Sequence, residues 1–381
     1  MHIGEWADEL FAVAGTGVLH VLGGDDLPAF QRDDEGGRVI ETVRFVDQVP
    51  NLLDRTEQYS RQLAAVTHEH LGSLELVHVR DPWSARGVLA AAARAGRDRP
   101  FRFVYEVNGL PSIELPYTFP ALSPATLDKV RDLERRALAE ADAVATPSRV
   151  LAARLVRLGV PAERITVIPN GARLPGARPP RPADAPDRYL VYVGALQRWQ
   201  GVDTLLAALA RLADVDDLRL VICSATPAKR ARPYARLAER LGVDGRIDWH
   251  FRVPHGDVAG WLAHAVLSVA PLADVARNVD QGCCPLKIIE SMAVGTPVVA
   301  SDLAVVRELV VDGAHGRLVP ADRPAALARA IRVLLEYPER TAAMGVAAQA
   351  VVGSSLTWEA SRASLRELYA SLGFTAATAP A

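Results

Sequence analysis

The sequence predicts an α/β protein built from two Rossmann-like, doubly wound domains with a cleft between them. Short apolar runs alternate with helical patterns along most of the chain, as βαβ units on a parallel sheet require. The 381 residues are too many for one ordinary core and suit two. A proline-rich stretch near residue 175 divides the alternation into two series.

In the first series, residues 74–79 (LELVHV), 101–107 (FRFVYEV), 143–146 (AVAT) and 165–168 (ITVI) read as strands, with helices over 84–95, 124–140 and 147–158. Strands of a sheet covered on both faces are apolar on both, which is why these are runs without strict alternation. Upstream, only VLHVLGG, residues 18–24, reads as a strand ending in glycine, so the first βα unit is expected to be short or missing. The N-terminal domain then spans 1–172. Residues 171–187 hold five prolines and two glycines, too many missing N–H donors for a core element, and the linker is placed at 173–187. YLVYVG, LRLVIC, IDWHF, VLSVAP and TPVVAS make the second series, a C-terminal domain over 188–356. Residues 357–372 form an amphipathic helix with Leu365, Leu368 and Tyr369 on one side, expected to pack near the domain junction ahead of a tail over 373–381.

Composition excludes several functions. A net charge of −2 leaves no electrostatic footprint for nucleic acid or for an anionic membrane. Cys223, Cys283 and Cys284 make neither a disulfide framework nor a zinc ligand set. The N-terminus has no basic segment followed by an apolar one, and no run approaches the roughly 18 apolar residues of a membrane span, so a cytoplasmic protein is expected.

Two stretches carry chemistry. In YVGALQRWQG, residues 192–201, a strand ends at Gly194 and Gly201 opens a helix. Glycines here let the backbone N–H groups of residues such as Ala195, Gln197 and Gln200 approach an anion, with the helix dipole behind them; Arg198 is in reach of a diphosphate. In QGCCPLKIIESMAVGTPVVAS, residues 281–301, Pro285 and Leu286 suit a helix start and Lys287 falls in the first turn, where the dipole disfavours a cation unless an anion binds nearby. Glu290 lies on the same side and can accept both hydroxyls of a ribose. Arg252 and Val253, after the strand DWHF, complete the expected donor-binding set with Gly282, Cys283 and Cys284. In the first half Arg80, Glu106, Asn108, Gly109 and Glu114 cluster around strand ends, where structural and acceptor-recognising roles are both open. Asp214-Val215-Asp216 precedes its strand, at the end away from ligands, so no metal is expected there.

These segments resemble the large retaining group 1 glycosyltransferases of the GT-B type, whose pattern has a VG…G loop and a later E-A-M-A-x-G-x-P-V-V-A run. VGALQRWQG, IESMAVGTPVVASDLAVVRELV, DGAHGRLVP and the junction VIPNGA carry the likeness, specific in the second half and weaker in the first. It implies a metal-independent, retaining transfer from a nucleoside-diphosphate sugar to a small-molecule, lipid-linked or glycan hydroxyl. Glu290 would hold the donor ribose and the 194–201 loop would face the diphosphate. The chain departs from the family at three places. Gly282, eight positions before Glu290, stands at the place of the first glutamate of the Glu-x7-Glu pair, so that its contact is absent or falls to the 282–284 backbone, Asp280 or Gln281. Ala195 and Gln200 replace a basic residue and a lysine, a loss that Arg198 and Lys287 are expected to make good. Asn108 replaces a histidine. The departures keep open a catalytically silent nucleotide-binding or scaffold homologue, and the fold also serves sugar-nucleotide epimerases and phosphorylases.

Overall fold

The computed structural model describes residues 2–23, 27–35, 38–96 and 99–375. Gly24, at the end of the expected first strand, and residues 376–381 of the tail lie outside the described residues. The chain divides into two compact units. One holds the residues up to Pro147, then Ala152–Ile168 and the segment from Ser361; the other holds Ser148–Leu151 and Pro169–Ala360.

The first series runs α1 (His2–Ala14), β1 (Gly17–Leu22), β2 (Phe30–Glu35), β3 (Arg38–Phe45), α2 (Leu52–His70), β4 (Leu76–Val79), α3 (Pro82–Arg94), β5 (Arg102–Glu106), α4 (Pro111–Thr118), α5 (Pro124–Glu140), β6 (Ala143–Thr146), α6 (Arg149–Arg157) and β7 (Ile165–Val167). Strands β4, β5, β6 and β7 pair in parallel and in sequence order. The βα unit expected to be short or missing takes another form. β1 is present and pairs in parallel with β3, while β2 and β3 run antiparallel, so a strand pair stands where a crossover helix would. FQRDDE and RVIETVRF carry too much charge to read as apolar runs, because this small sheet is largely half-buried or exposed. Helix α4 is also new: Pro116 inside it argues against a helix, yet its first turn is held by the buried carboxylate of Glu134, which accepts from Ser112 N (2.7 Å) and Ser112 Oγ (2.6 Å).

The second series runs β8 (Tyr189–Val193), α7 (Val202–Ala210), β9 (Arg219–Ser224), α8 (Arg232–Leu241), β10 (Ile247–Phe251), α9 (His255–Ala263), β11 (Leu267–Ala270), α10 (Leu286–Ala293), β12 (Val298–Ser301), α11 (Ala304–Arg307), β13 (Gly316–Val319), α12 (Pro324–Glu336) and α13 (Pro338–Ser355). The sheet is wholly parallel, in the order β10-β9-β8-β11-β12-β13. Its first strand thus neighbours its fourth, the arrangement in which connections leave in opposite directions and open a crevice at the carboxyl ends. Tyr189, Leu190, Val191, Tyr192, Leu220, Val221 and Val269 are fully buried, which fixes the position of the loops that leave these strands.

Three segments differ in detail from expectation. Residues 173–187 contain no helix or strand, but they are fastened to α9: Arg178 donates to Ala263 O (3.0 Å) and His264 Nε2 to Pro179 O (2.8 Å). The stretch HGDVAGWLAHA reads as a capped helix with His255 just before it, but His255 is the first residue of α9, with Pro254 in the cap position. The last helix, α14 (Trp358–Ser371), sends Leu365, Leu368 and Tyr369 into one cluster with Trp6, Val104, Ala143 and Ile168, and pairs Arg362 with Glu5 and Arg366 with Glu9. It therefore packs with the first series although it follows the second.

Candidate functional site

The loops after β8 and β11 meet at the point where the strand order reverses. Gly201 has φ 66°, and a Cβ there would stand 1.8 Å from Pro271 O, so only glycine lets the two loops approach this closely. Asn278, 1% exposed, stitches them with one carboxamide, donating to Trp199 O (2.7 Å) and Ala273 O (2.8 Å). Ala273 N also donates to Trp199 O (3.1 Å), and the Arg277 guanidinium lies over the Trp199 ring at 5.6 Å. Gly194 follows β8 with φ 145°, and Tyr192 Oη donates to Ala195 O (2.7 Å), shaping the first turn of the loop.

Lys287 enters this arrangement from the first turn of α10. It is 8% exposed; Nζ sits 4.2 Å above the Tyr192 ring and donates to Gln200 Oε1 at 2.5 Å. Gly194 borders it too, since a Cβ there would come 2.8 Å from Nζ. Among the described residues no carboxylate is within ion-pair distance of it. Burial pushes its pKa down to about 7, the nearby Arg277 charge adds to that, and Cys283 and Glu290 oppose it. Glu290, one turn on, keeps 21% of its side chain exposed, with His255 Nδ1 at 4.0 Å. Burial raises its carboxyl, against the His255 and Lys287 charges.

The other donor-side residues fall into two groups. Gln197 precedes a 3₁₀ turn over Arg198–Gln200, bringing Gln200 to Lys287, whereas Arg198 on the same turn is exposed and its side chain makes no hydrogen bond or ion pair among the described residues. Gly282 has φ 85°, and a Cβ on it would lie 2.9 Å from Val150 Cγ1. Cys283 and Cys284 are buried, Cys284 O accepts from Asn170 Nδ2 (2.9 Å), and burial lifts the Cys284 thiol to about 12, so it is packing rather than a nucleophile. Pro285 caps α10 and Leu286 is its first residue. Gln281 is fully buried and Asp280 exposed. Arg252, beyond β10, takes φ 54° while its N–H reaches Ser224 O (2.7 Å), and Val253 packs with the cluster of Tyr189, Val191 and Trp261.

In the first unit, Glu106 ends β5 and is 1% exposed. Its carboxylate faces Arg80 Nε at 2.7 Å and His78 Nε2 at 3.3 Å, and accepts from the Asn108 carboxamide nitrogen. His78 Nδ1 lies 2.7 Å from Tyr369 Oη. Arg80 is placed by the turn into α3, whose N-terminus Asp81 caps through Trp83 N and Ser84 N. Glu106 thus turns inward, while Asn108 and Gly109 are half-exposed. Glu114 is on α4, also half-exposed.

Asp214 pairs with Arg332 at 2.6 Å, which holds its carboxyl down to about 2. Among the described residues no three His, Cys, Asp or Glu side chains are grouped as a metal site would need, and no helix is long and apolar enough to cross a membrane.

Residues 187–337 match the family described as glycosyl transferases group 1, and residues 3–171 match the glycosyl transferase 4-like domain. The chain belongs to the group 1 glycosyltransferases of the GT-B fold. This glycosyltransferase is 28% identical over 325 residues to the D-inositol 3-phosphate glycosyltransferase of Xylanimonas cellulosilytica, covering 81% of the chain and 74% of that protein. Sucrose-phosphate synthase from Thermosynechococcus elongatus shares its fold with a TM-score of 0.76 at 22% identity, over 98% of this chain and 92% of the other. Anabaena HepE, solved in complex with UDP and glucose, does so with a TM-score of 0.68 at 20% identity, over 88% and 87%.

Several residues of this glycosyltransferase's site carry no motif. Tyr192 reads only as strand, and Arg277, Asn278 and Trp199 act through contacts that bring distant loops together. His255 reads only as the start of a helix, and its place beside Glu290 has no signal in the sequence. His78 reads as one more residue of a buried strand.

Proposed function

We propose that this glycosyltransferase takes its sugar from a nucleoside-diphosphate donor held at the carboxyl ends of β8 and β11, and transfers it to an acceptor hydroxyl with retention and without a metal. The observation that carries the reading is Lys287: a buried ammonium, facing no carboxylate and set against the dipole of its own helix. Each of these costs free energy in the empty protein, and a bound diphosphate relieves them all. With Arg277 beside it and the N–H groups of the 194–201 loop at hand, Lys287 supplies preorganised positive potential where the leaving diphosphate gathers charge. This places on α10 the charge that Ala195 and Gln200 lack. Glu290 accepts the two ribose hydroxyls.

In the transfer, the acceptor oxygen bonds to the anomeric carbon on the face from which the diphosphate departs. The bond from that carbon to the β-phosphate oxygen breaks, and the acceptor's proton passes to a phosphate oxygen. HepE's complex with UDP and glucose makes UDP-glucose the first donor to try, and the relative's name makes D-inositol 3-phosphate the first acceptor. The test is proton NMR of the anomeric signal during turnover in EDTA. An α-linked product from an α-linked donor is expected. A β-linked product would overturn retention, and turnover that stops in EDTA and returns with a divalent cation would overturn metal independence.

A further inference from the structure

The cluster at the end of β5 has a direction built into it. Glu106 Oε2 lies 2.7 Å from Arg80 Nε, and a carboxylate paired with a guanidinium can only accept. The group that Asn108 turns toward it is therefore its NH2, and the carbonyl Oδ1 points the other way, without a partner among the described residues. His78 lies between the carboxylate, 3.3 Å from its Nε2, and Tyr369 Oη, 2.7 Å from its Nδ1, and burial and Glu106 hold the Tyr369 phenol well above its usual range. Arg80 and His78 lie within ion-pair distance of the carboxylate, Asn108 donates to it, and Tyr369 is next to His78.

We infer that Glu106 is a positioning residue that locks the Asn108 carboxamide with its oxygen outward, so that the end of β5 accepts a hydrogen bond from a neutral substrate hydroxyl and disfavours a phosphate or carboxylate. A histidine at this position has a ring N–H and no carbonyl; Asn108, as held here, turns its NH2 toward Glu106 and its carbonyl oxygen away from it. A phosphate placed there would meet a carbonyl oxygen with a buried carboxylate behind it. That a sugar or acceptor hydroxyl is the ligand rests on the proposed transferase reading; the lock itself does not.

The decisive variant is Asn108→Asp at this half-exposed position. As a carboxylate, Asp at 108 is repelled by Glu106. Once protonated, it is the shape of the native carboxamide, its O–H replacing the NH2 toward Glu106 and its C=O facing out. Donor turnover with UDP-glucose should fall at least tenfold against wild type at about pH 8 and recover toward the wild-type rate at about pH 5.5, with kcat moving more than KM for the donor. A deficit equal at every pH, in a variant with wild-type circular dichroism, would overturn the inference, because an outward NH2 is never restored by protonation. If wild type turns over no nucleotide sugar, the transferase reading fails, and the lock is read without substrate: in protein labelled with [15N]Asn, the Asn108 side-chain NH2 resonances, identified by their loss in Asn108→Ser, should move in Glu106→Gln. Unmoved resonances would refute the lock.

Discussion

Replacing Lys287 by Met should stabilise the empty protein and abolish nucleotide binding, two effects that pull apart only if the lysine is kept for a ligand. Its folded pKa is about 7 against an ordinary 10.5. Because the folded value is lowered, the native state binds fewer protons than the unfolded chain between these values. Stability therefore rises with pH across that window, and the penalty is complete below it. At pH 7, with half the native lysines charged, the penalty is on the order of 4 kcal/mol. Met forfeits the contact with the Tyr192 ring, about 1 kcal/mol, and leaves the Gln200 oxygen unpaired, another 1 or 2 kcal/mol by the usual range (~1–3). The net gain is about 1–2 kcal/mol, or roughly 2–8 °C in the melting temperature of a domain this size. Differential scanning fluorimetry at pH 7 should show it, and at about pH 10 the gain should vanish. UDP should raise the wild-type midpoint and leave Lys287→Met unmoved. A variant that melts below wild type at pH 7 yet still responds to nucleotide would refute the reasoning.

Other expectations follow from the same geometry. Gly201→Ala drives a Cβ into Pro271 O, so the variant should be recovered poorly or melt far below wild type; Gly242→Ala, at φ 67° with nothing within 4 Å, should cost only about 1 kcal/mol by chemical denaturation. Equal losses would show that the loop contact is unimportant. Glu290→Gln should weaken nucleotide affinity ten- to a hundredfold in calorimetry, by the ~1.5–3 kcal/mol of charged hydrogen bonds, while its uridine-free analogue ribose-lacking pyrophosphate should bind as to wild type. Unchanged nucleotide affinity would remove Glu290 from the ribose. Asp214→Asn should turn over in EDTA at the wild-type rate, and an activity loss rescued by a divalent cation would make that exposed pair a metal site.

The second unit was legible because physics writes it locally. Its strands are buried on both faces and read as apolar runs, its turns need Gly194 and Gly201, and Lys287 stands out as a cation where the helix dipole opposes one. Much of the first unit is written elsewhere. β2 and β3 are charged because they lie near the surface, and α4 overcomes Pro116 through Glu134, a partner on another helix. The direction of Glu106 is set by His78, Arg80 and, through His78, by Tyr369 at the far end of the chain, which no spacing in the sequence reveals. Arg198, in reach of a diphosphate by its place in a glycine loop, is exposed on a 3₁₀ turn that presents Gln200 to Lys287, and the Arg277 charge that acts on Lys287 has no such local signal.

The most direct test of the donor site is isothermal titration of wild type and Lys287→Met with UDP, GDP, ADP, TDP and CMP in EDTA. The account predicts that at least one nucleoside diphosphate binds wild type without metal and that the same nucleotide fails to bind Lys287→Met. Binding of equal strength to both proteins, or to neither, would contradict it.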